Sequence, residues 1–432
     1  MEKIVNVIGA GLAGSEASYQ LAKRSIKVRL FEMKRIIKNP AQQLDSFAEL
    51  VCSNSFRSSD VKNAVGLMKE ELRMMDSLII RAADNTKVKA GASLSVDREL
   101  FSLYVTKELE ANPLIEIINE EVSTIPTGPT IIAAGPLASL KLTEALKEIT
   151  GEEYLHFYDA IAPIISKDGI DFKIAYLKSR WDKGSPDYIN CPFTKEEYLN
   201  WYNEVIASDR VQRKPFEYQV FEGCMPFEEM AERGVDTLRF GPMKPVGLYH
   251  DGIKPYAVVQ LRKDNLIDSL YNIVGFQTKL TYPAQDKIIR MIPGLKDAKI
   301  VRHGEMHRNT FICAPGIINA SYQTLKREDL FIAGQIAGVE GYVESTASGL
   351  VAGINMARYL NDLPLIKFPK STAIGSQANY LEKASKADFE PMNTNYGIFM
   401  ELSTDASKEG RKEAYSKRAI HDLEEFKNEY HE

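Results

Sequence analysis

Three glycines in the run Gly9-Ala10-Gly11-Leu12-Ala13-Gly14 have the GxGxxG spacing of a phosphate-binding turn. The first glycine of such a turn permits the tight bend. The second lets backbone approach a pyrophosphate, and the third lets the helix pack close to its strand. The anion then sits at the helix N-terminus, where free amides and the dipole favour negative charge. Glu32 ends the next apolar run, the position from which a carboxylate hydrogen-bonds a ribose hydroxyl. A second kind of chemistry is offered by the thiols. Cys52 stands in Val51-Cys52-Ser53-Asn54-Ser55, and Cys224 in Glu222-Gly223-Cys224-Met225-Pro226. Polar neighbours of this kind suit a reactive thiol better than a buried one. Cys191, beside Pro192, and Cys313, after two apolar residues, read as small buried hydrophobes. The four cysteines show no CxxC spacing, which argues against a zinc site, a disulfide framework or a dithiol redox pair.

The elements that must position these residues follow a βα pattern. Ile4 to Ile8 is a β-branched strand, the stretch from Ser15 to Lys23 is helical, and Lys27 to Phe31 is a second strand. Residues 36–60 are polar and loop-like, and a helix is expected over Val65 to Ser77. Another helix follows Val96-Asp97-Arg98. Thr130 to Ala134 reads as a buried strand ending at Gly135-Pro136. From about 176 to 299 the chain is rich in Tyr, Phe, Pro and charge, and reads as a mixed α/β insertion. The βα pattern returns with Leu330-Phe331-Ile332-Ala333-Gly334 and a helix expected over Ser348 to Tyr359. The expected fold is therefore α/β: a split Rossmann-type FAD-binding domain with an inserted mixed α/β domain. Its parts are residues 1–175, an insertion at 176–299, and residues 300–432 with a charged, helical tail.

A chain of 432 residues is long enough for two cores. No run of about 18 apolar residues suggests a membrane span. Glu2 and Lys3 lead straight into the first strand, unlike a secretory leader, so a cytoplasmic setting with reduced thiols is expected. The net charge of −5 does not advertise a nucleic-acid partner, yet binding depends on local basic surface rather than the total.

Two further segments favour FAD over NAD at the glycine turn. Thr130 to Pro136 resembles the flavoprotein strand and turn that carries Gly135 near the adenine half. Leu330 to Gly338 resembles the late flavoprotein strand whose turn, with Gly334, contacts the ribityl and pyrophosphate. A more specific resemblance runs through GAGLAGSEA, ELVCSNSFRS, FEGCMPFEEMAERG, FGPMKPVGL, YAVVQLR, NIVGFQT, MHRNTF and GVEGYVESTASGLVAG. These blocks resemble the bacterial folate- and FAD-dependent tRNA (uracil-5-)-methyltransferases, in family order and across essentially the whole chain.

The resemblance implies that methylenetetrahydrofolate supplies a one-carbon unit, reduced FAD supplies electrons, and NAD(P)H re-reduces the flavin. The product is 5-methyluridine, in most of the family at the T-loop uridine of tRNA. One branch of the family is understood to modify large-subunit ribosomal RNA, and these residues do not separate the branches. Carbon 5 of uracil is a poor nucleophile until a thiolate adds to carbon 6, so a cysteine nucleophile and a base are required. Cys224 matches the family's attacking thiol. Cys52 matches the thiol at the flavin, implicated in handling the one-carbon unit or in proton transfer. Tyr342 matches the residue stacking on the folate ring.

Other residues offer polar contacts. Glu340 and Glu344 are candidates for the folate pterin or solvated charges, Gln277 and Asn309 are candidates for polar contacts in the cleft, and His307 is a candidate proton relay or a hydrogen-bonded structural histidine. Cationic candidates for RNA are Lys244, Arg262, Lys279, Arg302 and Arg308. In the tail they are Lys408, Arg411, Lys412, Lys417 and Arg418, where Glu409 and Glu413 suit a solvated helix of mixed charge equally well. Two competing readings are a small-molecule flavin oxidoreductase and a non-catalytic FAD-dependent RNA-binding protein. The sister family that modifies the tRNA anticodon has a much longer chain. Oligomeric state is not legible in the sequence.

Overall fold

A computed structural model describes residues 3–39, 41–151, 155–211, 225–402 and 408–431. Its first sheet has five parallel strands in the order Ile115–Ile118, Lys27–Phe31, Ile4–Ile8, Thr130–Ile132 and Leu330–Ile332. The apolar, β-branched composition of these strands suits a sheet covered on both faces. Leu330 pairs with Thr130 across some two hundred intervening residues, so the dinucleotide fold closes only when the late part of the chain returns.

The second sheet is antiparallel throughout. Its order is Tyr176–Leu177, Tyr188–Phe193, Ala257–Lys263, Leu270–Ile273, Ile164–Ser166 and Ile300–Arg302. It thus draws strands from both sides of the 176–299 interval. Its own core gathers Phe193, Tyr198, Trp201, Phe227, Leu261 and Phe276. The pair Leu155–Ala160 and Met306–Phe311 joins the two units, and a small sheet of Ser55–Ser58, Ser93–Val96 and Lys87–Val88 lies between the early helices.

Two helices hold the nucleotide half together. Leu12–Lys23 is buried along nearly all its length, and Tyr342–Leu360 packs against it. The contact is close because it is made by glycine. A Cβ on Gly349 would lie 2.2 Å from the Ala13 carbonyl oxygen, and one on Gly353 would lie 2.8 Å from that of Ala17.

Three expectations change. The helix expected from Ser348 begins at Tyr342, because Gly341 takes a φ of +110° that starts the turn there. The helix expected over 65–77 spans Ala64–Met74. Asp76 is left-handed at φ +57°, and the Ser77 hydroxyl caps a new helix, Leu78–Asn85, by accepting from the Ile80 amide at 3.2 Å. The charged tail is a helix, Lys408–Tyr430, but Tyr415, Ala419, Leu423 and Phe426 form an apolar stripe docked on the first core. No helix among the described residues is long and apolar enough to cross a membrane.

Replacing Gly349 by Ala forces two backbones apart. The expected outcome is a loss of about 1–3 kcal/mol in unfolding free energy, measured by urea denaturation. An unchanged midpoint would contradict the close approach.

Candidate active site

A cleft opens at the C-terminal ends of the parallel strands. That is the expected place for a ligand in an open α/β sheet. Gly9, Gly11, Glu32, Gly135, Gly334 and Tyr342 all line it. Gly9, at φ +97°, turns where an added Cβ would meet the Ala133 carbonyl oxygen at 2.6 Å. Gly14 does not line the cleft. It seats the helix on the turn, since a Cβ there would lie 1.8 Å from the Gly9 carbonyl oxygen.

Gly11 differs from both. A Cβ on it would meet nothing within 4 Å. It is also the N-cap of Leu12–Lys23 and offers no side chain to that helix end, so the first amides are left for a ligand. The amide of buried Ala10 donates to Glu32 Oε2 at 2.8 Å, and the Lys34 amide donates to Oε1 at 2.8 Å. Two backbone donors therefore fix the carboxylate, while an ionised carboxylate has about four acceptor positions, leaving capacity for a hydroxyl pair. Open space at an uncapped helix start beside a fixed acceptor fits the pyrophosphate and ribose of FAD.

At one end of the cleft Tyr342 meets the Cys52 loop. Its hydroxyl accepts from the amides of Cys52 at 2.9 Å and Ser53 at 3.0 Å. Burial pushes the Tyr342 phenol above its ordinary range, as does the neighbouring Cys52, so it stays neutral. Cys52 is half-buried, one residue past the lining residue Val51, and its thiol faces the Ala160 carbonyl at 4.0 Å.

The other side of this loop is held by the antiparallel sheet. Arg262 donates from Nη2 to Ser53 Oγ at 2.7 Å and from Nε to Asn54 Oδ1 at 3.0 Å. Asn54 in turn donates to the carbonyls of Val96 and Lys263, both at 2.9 Å. Arg98 donates from Nη1 to the Leu50 carbonyl at 2.7 Å, and its Nε contacts both Asp264 carboxylate oxygens at 3.0 Å. Burial pulls Arg262 below the usual guanidinium range.

Cys224 lies outside the described residues. Its C-terminal flank is anchored: Phe227 donates its amide to the Gln277 carbonyl at 2.8 Å. Buried Glu228 accepts from the Lys279 amide at 2.7 Å and from Thr278 Oγ1 at 3.1 Å. Burial raises the Glu228 carboxyl. Glu228 and Arg98 are the residues that sequence reasoning missed. Neither differs in local pattern from its neighbours, Glu229 and Glu99.

Cys191 and Cys313 are both buried, and burial pushes the Cys191 thiol up to about 12. His307 is buried and its pKa is lowered by burial, and Asn309 is buried beside it in sequence. Glu340 accepts from Gln335 at 3.0 Å. Glu344 is fully buried, pairs with Arg57 and accepts from the Thr394 amide at 2.8 Å.

The cations named for RNA separate into two groups. Arg262 and Lys279 are buried and engaged inside the protein, Lys279 with Glu229. Their charge made them candidates for RNA, but charge alone did not reveal that both are covered. Arg302 is half-buried and donates to the Ala41 carbonyl at 3.1 Å. Lys244, Arg411 and Lys412 are exposed, whereas Lys417 pairs with Glu413 at 3.0 Å and Arg418 donates to the backbone of Met400 and Glu401. The side chains of Arg308 and Lys408 lie outside the described residues.

Residues 4–364 match the family described as glucose inhibited division protein A. The chain is 54% identical to the "Methylenetetrahydrofolate--tRNA-(uracil-5-)-methyltransferase TrmFO" of Listeria monocytogenes serotype 4b, over 99% of this chain and 100% of that one. It is 54% identical to the protein of the same name from Bacillus licheniformis, over 97% and 98% of the two chains. Among solved structures it resembles Aquifex aeolicus GidA, with a TM-score of 0.73 at 18% identity, covering 99% of this chain and 74% of that one. That last likeness speaks to the fold alone.

Gly11→Val tests the cradle. The variant is expected to unfold near the wild-type denaturant midpoint, because an added Cβ meets nothing within 4 Å, but to purify without yellow flavin absorbance. Full retention of the flavin would contradict the placement of the pyrophosphate.

Proposed function

The chain belongs to the family described as glucose inhibited division protein A, and on that premise we propose that it methylates carbon 5 of a uridine in tRNA, with methylenetetrahydrofolate as carbon donor and FAD as cofactor. The observation that carries this reading is the 54% identity to an enzyme of that name over 99% of this chain and 100% of that one. The reading places the protein in the cytoplasm with its RNA.

When bound, FAD supplies the electrons that bring the transferred carbon to the methyl level, drawn from NAD(P)H. The chain's own residues bind and orient. Gly9 and Gly11 shape the turn that presents the first helix amides to the pyrophosphate, Ala10 holds Glu32 in place through its own amide, and Gly14 lets that helix sit close enough. Glu32 takes the ribose, and Gly135 and Gly334 let the backbone of the neighbouring turns approach. Tyr342 offers an aromatic wall to the folate ring and fixes the Cys52 loop at the same time.

Cys224 is assigned the attack on uracil carbon 6, by resemblance. The sulfur–carbon bond makes carbon 5 nucleophilic, and its cleavage after the proton leaves carbon 5 restores the ring and frees the thiolate. Cys52, close to the cleft, is assigned the movement of a proton there. The target base must leave its stack to reach such a cleft.

The test uses purified protein, FAD, NADPH and methylenetetrahydrofolate labelled at the methylene carbon, with unmodified tRNA and unmodified ribosomal RNA in separate reactions. Labelled 5-methyluridine in tRNA is expected. Label only in ribosomal RNA would move the protein to the other branch. No label in either, with NADPH still consumed, would favour a small-molecule oxidoreductase. In the same assay Cys224→Ala should lose about a thousandfold or more in methylation while keeping its flavin. Normal methylation by that variant would remove Cys224 as the nucleophile.

A further inference from the structure

The chain has two tryptophans, and they are placed in opposite ways. Trp201 is fully buried in the core of the antiparallel unit. Trp181 is 61% exposed. It and Asp182 sit consecutively in the left-handed region, at φ +61° and +53°, a conformation that bulky side chains rarely adopt. Such outliers persist only where the surroundings fix them, and they concentrate at functional sites.

Here the surroundings are visible. The Trp181 amide donates to the Gly247 carbonyl at 2.9 Å. The indole lies over Gly247, where an added Cβ would come 2.9 Å from ring atoms Cδ2 and Cε2. The neighbouring Arg180 donates to the Lys244 carbonyl at 3.0 Å, to the Val246 carbonyl and to Gln260 Oε1 at 3.1 Å. All of these partners are neutral, and among the described residues no carboxylate pairs with this guanidinium. Lys183 and Lys244 are exposed on the same pair of loops, while Lys178 pairs with Asp182 at 2.9 Å. An exposed indole next to a guanidinium whose hydrogen-bond partners are neutral, with two exposed lysines on the same loops, suits a polymer of planar bases and negative phosphates.

The loop is also connected to the thiol. Gln260, gripped by Arg180, and Arg262, which grips Ser53 and Asn54, are alternate residues of Ala257–Lys263 and so point to one face. Their Cα atoms are about 6.6 Å apart by strand geometry. Trp181 and the Cys52 loop therefore hang from the same short stretch of one strand. A uridine flipped towards the cleft leaves a neighbour without a stacking partner, and an exposed indole nearby can replace it.

We propose that the loop Ser179–Gly184 is an RNA-docking surface, on which the Trp181 indole stacks against a nucleobase beside the target uridine. The inference rests on the tRNA reading above and adds to it the surface that receives the RNA.

Tryptophan fluorescence of the FAD-loaded enzyme reports on it directly, since the other tryptophan is buried. Acrylamide should quench an accessible component, and unmodified tRNA should protect that component from quenching. Trp181→Phe should abolish the protectable signal while binding tRNA nearly as well as wild type. Trp181→Ala should weaken tRNA binding at least about fivefold, measured by filter retention. If tRNA is retained on the filter while Trp181 stays fully accessible, the docking surface is wrong and the methyltransferase reading stands. If the protein retains no tRNA, both fall. Protection that appears without RNA and grows with protein concentration would assign the surface to a second copy of the chain and overturn the proposal.

Discussion

Tyr342 and Arg262 take hold of adjacent atoms from two different units of the molecule. The phenol oxygen accepts the amides of Cys52 and Ser53, and the guanidinium donates to the side chains of Ser53 and Asn54. One residue belongs to the helix that closes the nucleotide cleft, the other to the central part of the antiparallel sheet. A polar loop such as this has little apolar surface with which to fix itself. Its position must come from hydrogen bonds, and buried polar atoms left without partners cost about 1–3 kcal/mol each. The two grips supply those partners and so determine where the Cys52 thiol stands relative to the cleft.

The grip from Tyr342 works only if its helix is accurately seated. Gly349 and Gly353 bring that helix against Ala13 and Ala17, on the helix whose first turn faces the cleft. The glycine turn and the tyrosine are thereby parts of one rigid pair, although more than three hundred residues separate them. The grip from Arg262 is prepared in the same way by its neighbours. Arg98 pairs with Asp264 two residues further on and also holds Leu50, two residues before the thiol. Cofactor binding at one end and substrate contact with the antiparallel sheet at the other would both bear on the same five residues.

Much of the nucleotide half was legible because its signals are local. GxGxxG after a β-branched strand, and Glu32 at the end of the next strand, state a backbone conformation and an acceptor in a few residues each. The sequence also placed Gly135 and Gly334 at the ends of buried strands, where they line the cleft. What it could not reveal was partnership across long separations. Arg262 stands in an alternating strand pattern, and alternation says which residues share a face but not what covers that face. Arg262 stood among the cations offered to RNA, yet it is buried and holds the Cys52 loop. The tail misled for a related reason: its many charges hide a four-residue apolar stripe. One side of the antiparallel sheet, formed by Ile164–Ser166 and the edge strand Ile300–Arg302, was invisible because those short strands have no signature apart from their pairing.

The account depends most on the claim that Tyr342 and Arg262 jointly fix the Cys52 loop, and amide hydrogen exchange read by mass spectrometry tests it most directly. The peptide spanning Val51 to Ser55 would be followed in the wild-type protein, in Tyr342→Phe and in Arg262→Met, with the strand Ile4–Ile8 as an internal reference for intact folding. The account predicts slow exchange at Cys52 and Ser53 in the wild type, about tenfold or more faster in each variant, with the reference strand unchanged. Exchange at these two amides that is equally fast in all three proteins, or equally slow in all three, would contradict it.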